Sequence, residues 1–567
     1  MTLKILQERV GYINIATRII QHKKLVVIVF AIVTVISTAA QFFVSVNYNM
    51  VDYLPEDAQS TQALTIMEDE FTASVPNTRV MIHDVTVQEA LLFKAQLSNI
   101  EGVTDVIWLD DVMDLKMPLE MADEETVESY FKDGKALFSI SVDNGAEVEA
   151  TDAIYEMIGE NDAIAGEAVD TATSQKMAGT ESMYAAALLV PIIILILVLS
   201  TTSWIEPVFF LTAIGVSVLI NLGTNIFIGE ISFVTQSVAP ILQLAVSLDY
   251  AIFLLHSFAD YRKKTNNPEE AMQLAMKKSF PAITASAATT FFGFTALMLM
   301  QFEIGSDLGL NLVKGILLSF ISVMVFLPAL TLMFYKWMDK TKHKSFVPSF
   351  KGTGEKVLKL KMPSLILVFA ILVPAFLAQS NTQFTYGLGD QPETTRAGSD
   401  FKLIEETFGE STPLVLLVPK GDLVKEAELV EELENVDHVT SVISYVNAIG
   451  SVIPPEYLDE TITKDFFSEN YSRIILYTSV GKEGDVPFSI VETVQEESAY
   501  YYDNEALLLG ESVTLYDIKN TVARDNVVVN TLTVVTIAIV LLVTFKSISI
   551  PLVLLITIQS AVWINLS

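Results

Sequence analysis

The chain has 567 residues, 51% of them hydrophobic, and 35 Lys and Arg against 68 Asp and Glu give a net charge of −33. Acidity of that size argues against nucleic acid as the main partner. The absence of cysteine excludes disulfides, cysteine-ligated zinc, iron–sulfur clusters and thiol catalysis.

Apolar and acidic residues coexist here because they occupy separate blocks. Residues 1–24 form a basic N-terminal segment containing Lys4, Arg9, Arg18, Lys23 and Lys24. The apolar run Leu25–Val46 follows and is longer than the h-region of a signal peptide, so it reads as a retained first membrane helix. Residues 47–182 are polar and carry 29 acids against 6 bases. Five apolar blocks then fill 183–334: Met183–Ser200, Pro207–Ile228, Ile231–Phe258, Pro281–Met300 and Leu308–Phe334. A basic linker spans 335–361, and Met362–Ala378 gives a seventh helix within 362–380. The second polar stretch, 381–526, carries 28 acids against 9 bases. Val527–Phe545 and Pro551–Ser567 close the chain within 527–567, the last block reading as incomplete. Each block approaches the ~20 apolar residues that cross a bilayer. The fold class is therefore a polytopic α-helical membrane protein with two α+β extramembrane domains.

Lys and Arg in short loops set the orientation. The N-terminal segment, the loop with Arg262, Lys263, Lys264, Lys277 and Lys278, and the linker with Lys336 to Lys361 all fall on one side if the helices alternate. That side is expected to be the cytoplasm, with both polar domains outside. Their acidity reads as a way of keeping exported domains soluble and off an anionic bilayer.

The order helix, polar domain, helices occurs twice. Gly166-Glu167-Ala168-Val169 matches Gly510-Glu511-Ser512-Val513 at an offset of 344, and the same offset pairs Ser203 with Ser547, Pro207 with Pro551 and Asn221 with Asn565. Met67–Phe71 with Ser74 and Pro76 matches Ile404–Phe408 with Ser411 and Pro413, and Glu101–Ile107 matches Asp437–Ile443. Internal repeats place transporter sites near the repeat interface. The repeat also predicts that this chain is a fragment of a protein with roughly twelve helices.

Within the first polar domain, Thr78–Ile82, Val103–Leu109, Lys135–Val142 and Ile164–Val169 read as strands, and Thr86–Asn99 and Glu147–Ile158 as helices. That is the split βαβ order. The second domain repeats it with Pro413–Val418, Val424–Leu433, Val439–Val446 and Arg473–Val480. It adds the aromatics Phe466, Phe467, Tyr471, Tyr477, Phe488 and Tyr500–Tyr502. These read as strand and turn packing ahead of a path for a hydrophobic substrate.

The segment Ser247–Leu254 of the fourth helix carries the chemistry. Asp249 stands in an apolar helix, where a charge costs at least about 2.5–3.5 kcal/mol and so faces the bundle interior, water or a partner. A carboxylate that titrates near working pH can load a proton from one side and release it to the other; the competing reading is a structural Asp paired with a neighbouring helix. Tyr250 offers a hydroxyl beside it, and Pro240 can free backbone carbonyls upstream. His256, two turns along, is either a relay to the cytoplasmic side or an interfacial His, the blander reading being favoured. Ser286 and Thr290 of the fifth helix are candidates for bonding Asp249, within a run of small residues that favours close packing. Asn221 and Asn565 are expected to hydrogen-bond between helices. No P-loop, H-E-x-x-H or G-x-S-x-G motif occurs. No enzymatic activity, cofactor or metal is expected.

On Asp249-Tyr250 with Ala251-Ile252-Phe253-Leu254, and on the repeat order, the chain resembles the MMPL branch of the resistance–nodulation–division superfamily. The resemblance covers the whole chain. It implies ferredoxin-like, porter-type outer domains, a sterol-sensing-like bundle over 183–334, and proton relay through Asp249 and Tyr250. It implies proton-driven export or flipping of lipids or other hydrophobic compounds across the cytoplasmic membrane of a bacterium. The partners are then the bilayer, a lipid-like substrate and protons, with a homo-oligomer left open. A matching Asp-Tyr pair in the tenth helix would fall beyond Ser567. The competing functions are a non-transporting sensor or scaffold of the sterol-sensing type and a helper of protein export like the SecDF proteins.

Overall fold

The structure is a computed structural model. It describes residues 15–566 except 72–75, 114, 116–118, 120–123, 345, 347–357, 380–383, 388, 390 and 460–462. Lys4, Arg9, Ser74, Lys351 and Lys356 thus lie outside the described residues. The chain forms two compact units. One comprises Met1–Asn47, Gly179–Phe384 and Asp525–Ser567, the other Tyr48–Ala178 and Thr385–Arg524.

In chain order, α1 (Lys23–Ala40) and β1 (Ser45–Asn47) precede the second unit. That unit opens with α2 (Gln59–Glu70), β2 (Thr78–Ile82), α3 (Val87–Leu97) and β3 (Val103–Ile107). The hairpin β4 (Phe131–Lys132) and β5 (Lys135–Val142), then α4 (Glu147–Met157) and β6 (Ala163–Ala165), complete its first sheet. The long α5 (Glu167–Ser200) returns to the bundle, followed by α6 (Glu206–Gly223), β7 (Glu230–Ser232), α7 (Phe233–Arg262) and α8 (Pro268–Leu297). Next, α9 (Glu303–Ile321) passes through a π-turn at Ser322–Phe326 into α10 (Leu327–Lys340), and α11 (Lys361–Ala378) follows. The second sheet is built from α12 (Arg396–Phe408), β8 (Thr412–Pro419), α13 (Leu423–Glu434), β9 (Val439–Ile443), β10 (Tyr471–Thr478), α14 (Asp485–Tyr502) and β11 (Leu507–Leu509). The chain then runs through α15 (Glu511–Phe545) and α16 (Ser549–Leu566).

Among the described residues nine helical segments are long and apolar enough to cross a membrane. Several outrun their apolar blocks. The α8 helix starts at Pro268, thirteen residues before the apolar block, because Asn267 accepts from Glu269 N at 3.0 Å and Pro268 suits the first turn. The α5 and α15 helices likewise begin in polar sequence, at Glu167 and Glu511. Hydropathy marks what lipid can cover, not where helical hydrogen bonding starts. In the bundle α1, α6, α7, α8, α9 and α10 bury one apolar core that includes Phe210, Leu254, Phe258, Ile316 and Leu327. At one end of it β1 pairs in parallel with β7, Ser45 opposite Glu230.

In the other unit each sheet has four sequential strands in the order fourth, first, third, second, with every neighbour antiparallel. The first sheet also carries β4 beside β5. Thr86 caps α3 through a capping box with Glu89. β5 is buried along nearly its whole length although Lys135–Val142 alternates. The reason is that both faces are covered. Phe138 and Ile140 pack with Ala90, Leu97 and Ile154 from α3 and α4. Leu137, with Met81 and Ala165, instead meets Ile404 of α12, a helix from the second half of the chain. The exchange is reciprocal: Ala63 and Met67 of α2 cover Val415, Leu417, Ile475 and Leu509 of the second sheet. The stretches 47–182 and 381–526, separate domains in the sequence reading, thus make one compact unit in which each half lends its leading helix to the other. The expected strand Ile164–Val169 ends at Ala165, since Gly166 (φ +126°) turns the chain and α5 starts at Glu167.

Candidate functional site

Most buried polar residues of the bundle lie on α6, α7, α8 and α9. The first group is Asp249 and Tyr250 on α7. Asp249 is exposed and makes no hydrogen bond or ion pair with the described residues. Tyr250 is 2% exposed, and its hydroxyl has no hydrogen bond of good geometry. Ser286 and Thr290 of α8 lie beside that hydroxyl. Beyond close packing, the sequence offers both as candidates for bonding Asp249; they lie beside Tyr250 instead. Thr290 Oγ1 already donates to Ser286 O at 3.1 Å, one helical turn back. A helical turn rotates consecutive side chains by about 100°, so Asp249 and Tyr250 point in different directions. The tyrosine is sunk in the core and the carboxylate is not.

His256 is separate from this pair. Its Nε2 lies 3.0 Å from Ser200 O at the end of α5, near buried Glu206 at the start of α6. That places it at the bundle end where α5 stops and α6 begins. Asn565 is exposed on α16. Its side chain makes no hydrogen bond among the described residues, unlike that of its repeat counterpart. Asn221 is 2% exposed and its Nδ2 donates to Gln243 Oε1 at 3.0 Å and to Asn311 O at 3.2 Å.

Asn221 is one member of a second group that sequence reasoning left out. Gln243 of α7 uses its Nε2 on Gly315 O at 3.0 Å and Ser319 Oγ at 3.1 Å, both on α9. Ser217 of α6 and Ser319 share a bond of 3.1 Å. Nearer the β1–β7 ladder, Lys314 of α9 bonds Asn225, and Asp307 Oδ2 accepts from Ser232 N at 2.8 Å. A signal was available for part of this. Lys314 interrupts an apolar block as Asp249 does, and the same rule applies to it. Neutral Gln243 and Asn311 carry no such mark.

A cleft of 460 Å³ opens next to Thr290. Its walls are Gly293, Phe294 and Leu297 of α8 with Ile537, Leu541 and Leu554 of α15 and α16. The lining is apolar apart from the hydroxyls of Thr289, Thr290 and Thr533. The aromatic residues of the second sheet do not form one path: Phe467 packs on Tyr445 at 4.9 Å, Phe488 on Tyr516 at 5.9 Å, and Tyr500 is 82% exposed.

The family model described as MMPL family matches residues 52–373 and 422–567. Among curated proteins the chain is similar to the putative membrane protein ActII-3 of Streptomyces coelicolor, 22% identical over 83% of this chain and 66% of that protein. It is similar to the apo-petrobactin exporter of Bacillus anthracis, 24% identical over 57% of this chain and 45% of the relative. The probable transport protein MmpL12 of Mycobacterium tuberculosis is 24% identical over 40% of this chain and 20% of its own. The chain thus spans less than two thirds of the length of these relatives. Among solved structures it is similar to the hedgehog release protein Disp from the water bear Hypsibius dujardini, with TM-score 0.56 and 8% identity over 95% of this chain and 83% of that one, a likeness of fold.

Proposed function

The chain belongs to the MMPL family, and from that premise we propose that it works as a proton-driven transporter that exports or flips lipids or other hydrophobic compounds. The observation that carries the reading is Asp249, a carboxylate with no hydrogen bond or ion pair among the described residues, in the middle of the 30-residue helix α7 and next in sequence to the buried Tyr250. Holding a charge at that depth is costly, and a site with no counter-ion is free to exchange a proton. Tyr250, Ser286 and Thr290 supply hydroxyls that can hand the proton onward. The apolar cleft at Thr290 suits an acyl chain or a comparable apolar group, so loading Asp249 and occupying the cleft would bias the same α7–α8 packing.

Two relatives named as an exporter and a transport protein support transport as the class. We read the two sheets as ferredoxin-like porter domains, on the order and antiparallel pairing of the four main strands in each. The excess of Lys and Arg in the N-terminal segment, the loop after the fourth helix and the linker supports a bacterial cytoplasmic membrane location with both sheets outside. The test reconstitutes the full chain in liposomes holding an NBD-labelled phospholipid and imposes a pH gradient. Dithionite quenching then reads lipid movement between leaflets. Asp249→Asn should abolish the gradient-dependent movement while insertion stays normal. Full movement in that variant would sink the proposal.

A further inference from the structure

We propose that the buried polar seam between α6, α7 and α9 is a water-bridged proton conduit with Gln243 at its waist. It would connect the bundle end carrying the β1–β7 ladder to the Asp249–Tyr250 pair. The inference rests on the proton-coupled reading above and names the route by which the carboxylate is served.

The seam is periodic on all three helices. On α6 the polar positions are Asn225, Asn221 and Ser217, four residues apart. On α7 they are Ser232, Thr235, Gln243 and Ser247, and Tyr250 follows on the same face. On α9 they are Asp307, Asn311 and Ser319, with Gly315 between, and Ser322 follows at the start of the π-turn. A spacing of four keeps side chains on one face, so three polar stripes meet along one line. All of the uncharged members just named are buried, most of them 2% exposed or less. From Asp307 to Ser322 the line is about 22 Å long at 1.5 Å per residue.

Helix association alone does not account for this arrangement. Polar groups that only hold helices together pair with one another. Here Asn221 Oδ1 and Ser247 Oγ are buried with no hydrogen-bond partner among the described residues, and Tyr250 Oη has only the hydroxyls of Ser286 and Thr290 beside it, without good geometry. Ser247 and Tyr250 follow Gln243 along α7 toward Asp249, whereas Asn221 lies on its ladder side, bonded to Asn311 O. Buried polar groups of this kind are satisfied by internal water. Gly315 keeps the waist open to Gln243: a Cβ there would stand 2.9 Å from Gln243 Cδ and 3.0 Å from Asn221 Nδ2. The Gln243 amide thus reaches Asn221 and Ser217 on α6 and Gly315 and Ser319 on α9, so a water-bridged chain along the seam would run past it.

The charged groups facing the seam are Asp307 and Lys314 of α9, at its ladder end. Between Pro207 and Gly223 of α6, between Val26 and Ala40 of α1, between Ser279 and Leu297 of α8 and between Gly315 and Phe334 there is no Asp, Glu, Lys or Arg. Asp249 is thus the next charged group along the path, with His256 and Glu206 at the opposite end of the bundle.

The test reads protonation of Asp249 directly. Dicyclohexylcarbodiimide modifies protonated carboxyls in apolar surroundings, and peptide mass spectrometry reports the yield at Asp249. The full chain is placed in sealed liposomes and the pH is jumped on one side at a time. In the wild type, labelling should follow the pH of the ladder side rapidly. In Gln243→Leu, and in Ser247→Ala, that response should slow by roughly 10²-fold, the scale of losing a positioned proton-transfer group. The response to the opposite side should be unchanged. Unslowed responses in both variants overturn the conduit. If Gln243→Leu fails to insert, Ser247→Ala, which removes a single buried hydroxyl, decides alone. Labelling that ignores pH on both sides in the wild type overturns the proton-coupled reading itself.

Discussion

His438 shows how far one residue can be argued from the repeat. It is exposed and has φ +70°, the left-handed region that costs an ordinary side chain roughly 1 kcal/mol. Its repeat counterpart is Gly102, with φ +87°. There glycine is required twice over, because a Cβ would come 2.5 Å from Ala146 Cβ. His438→Gly should therefore raise stability by about 0.5–1 kcal/mol, partly offset by the freedom that glycine adds to the unfolded chain. An upward shift of the thermal midpoint in detergent checks it. The same scale explains what was legible in the bundle. Asp249 was legible because a charge in an apolar run has few structural excuses. The seam was not, because Gln243, Asn221 and Ser247 are each ordinary in a helix and acquire meaning only when α6, α7 and α9 are laid together. Ser286 and Thr290, candidates for Asp249 in the sequence, lie beside Tyr250, since sequence spacing gives a face of α8 but not the rotation of α7 against it.

At the scale of elements, strand and helix periods were readable and their partners were not. Met67–Phe71 and Ile404–Phe408 stood out as matching segments, and both belong to helices, α2 and α12. An amphipathic period says that a face is buried without saying against what. The structure supplies the answer: each helix covers the sheet of the other half. Ile404 is fully buried among Met81, Leu137 and Ala165. Ile404→Ala should cost about 2–4 kcal/mol, the usual range for an aliphatic cavity. The loss should appear first in the first sheet, although residue 404 belongs to the second half of the chain. Trp108, fully buried in that sheet, is the natural reporter. Its fluorescence should lose protection before proteolysis cuts β8 or β10. Equal and simultaneous loss in both sheets would mean that the exchanged helices do not act locally.

On the scale of the whole molecule, the two halves meet at the starts of α5 and α15, the helices that continue from the sheets into the bundle. Each begins after a glycine with positive φ, Gly166 or Gly510, which lies so close to a strand that a Cβ would be 2.4 Å from Asn77 O or 2.7 Å from Pro413 O. The repeat thereby sets Glu167 and Glu511 against one another. Lys482 bridges Asp170 at 2.9 Å and Glu511 at 3.1 Å, which leaves three carboxyls to one ammonium. Burial first, and Glu511 second, push the Glu167 carboxyl up to about 8. The folded chain therefore keeps a proton on Glu167 over a range where the unfolded chain has released it. Stability should fall as pH rises from about 5 to 8, by at most about 1.4 kcal/mol per pH unit for one proton. Lys482 adds no slope in that window, because its carboxylate neighbours raise its pKa and its contribution is lost only at higher pH. Glu167→Gln should flatten the dependence, stabilising the chain at pH 8 and changing it little at pH 4. Thermal midpoints of the intact chain at the two pH values measure this. An unchanged slope in Glu167→Gln would assign the pH response to some other carboxyl. A flattened one would mean that the duplication, in bringing equivalent glutamates face to face, made a junction whose strength depends on a single shared proton.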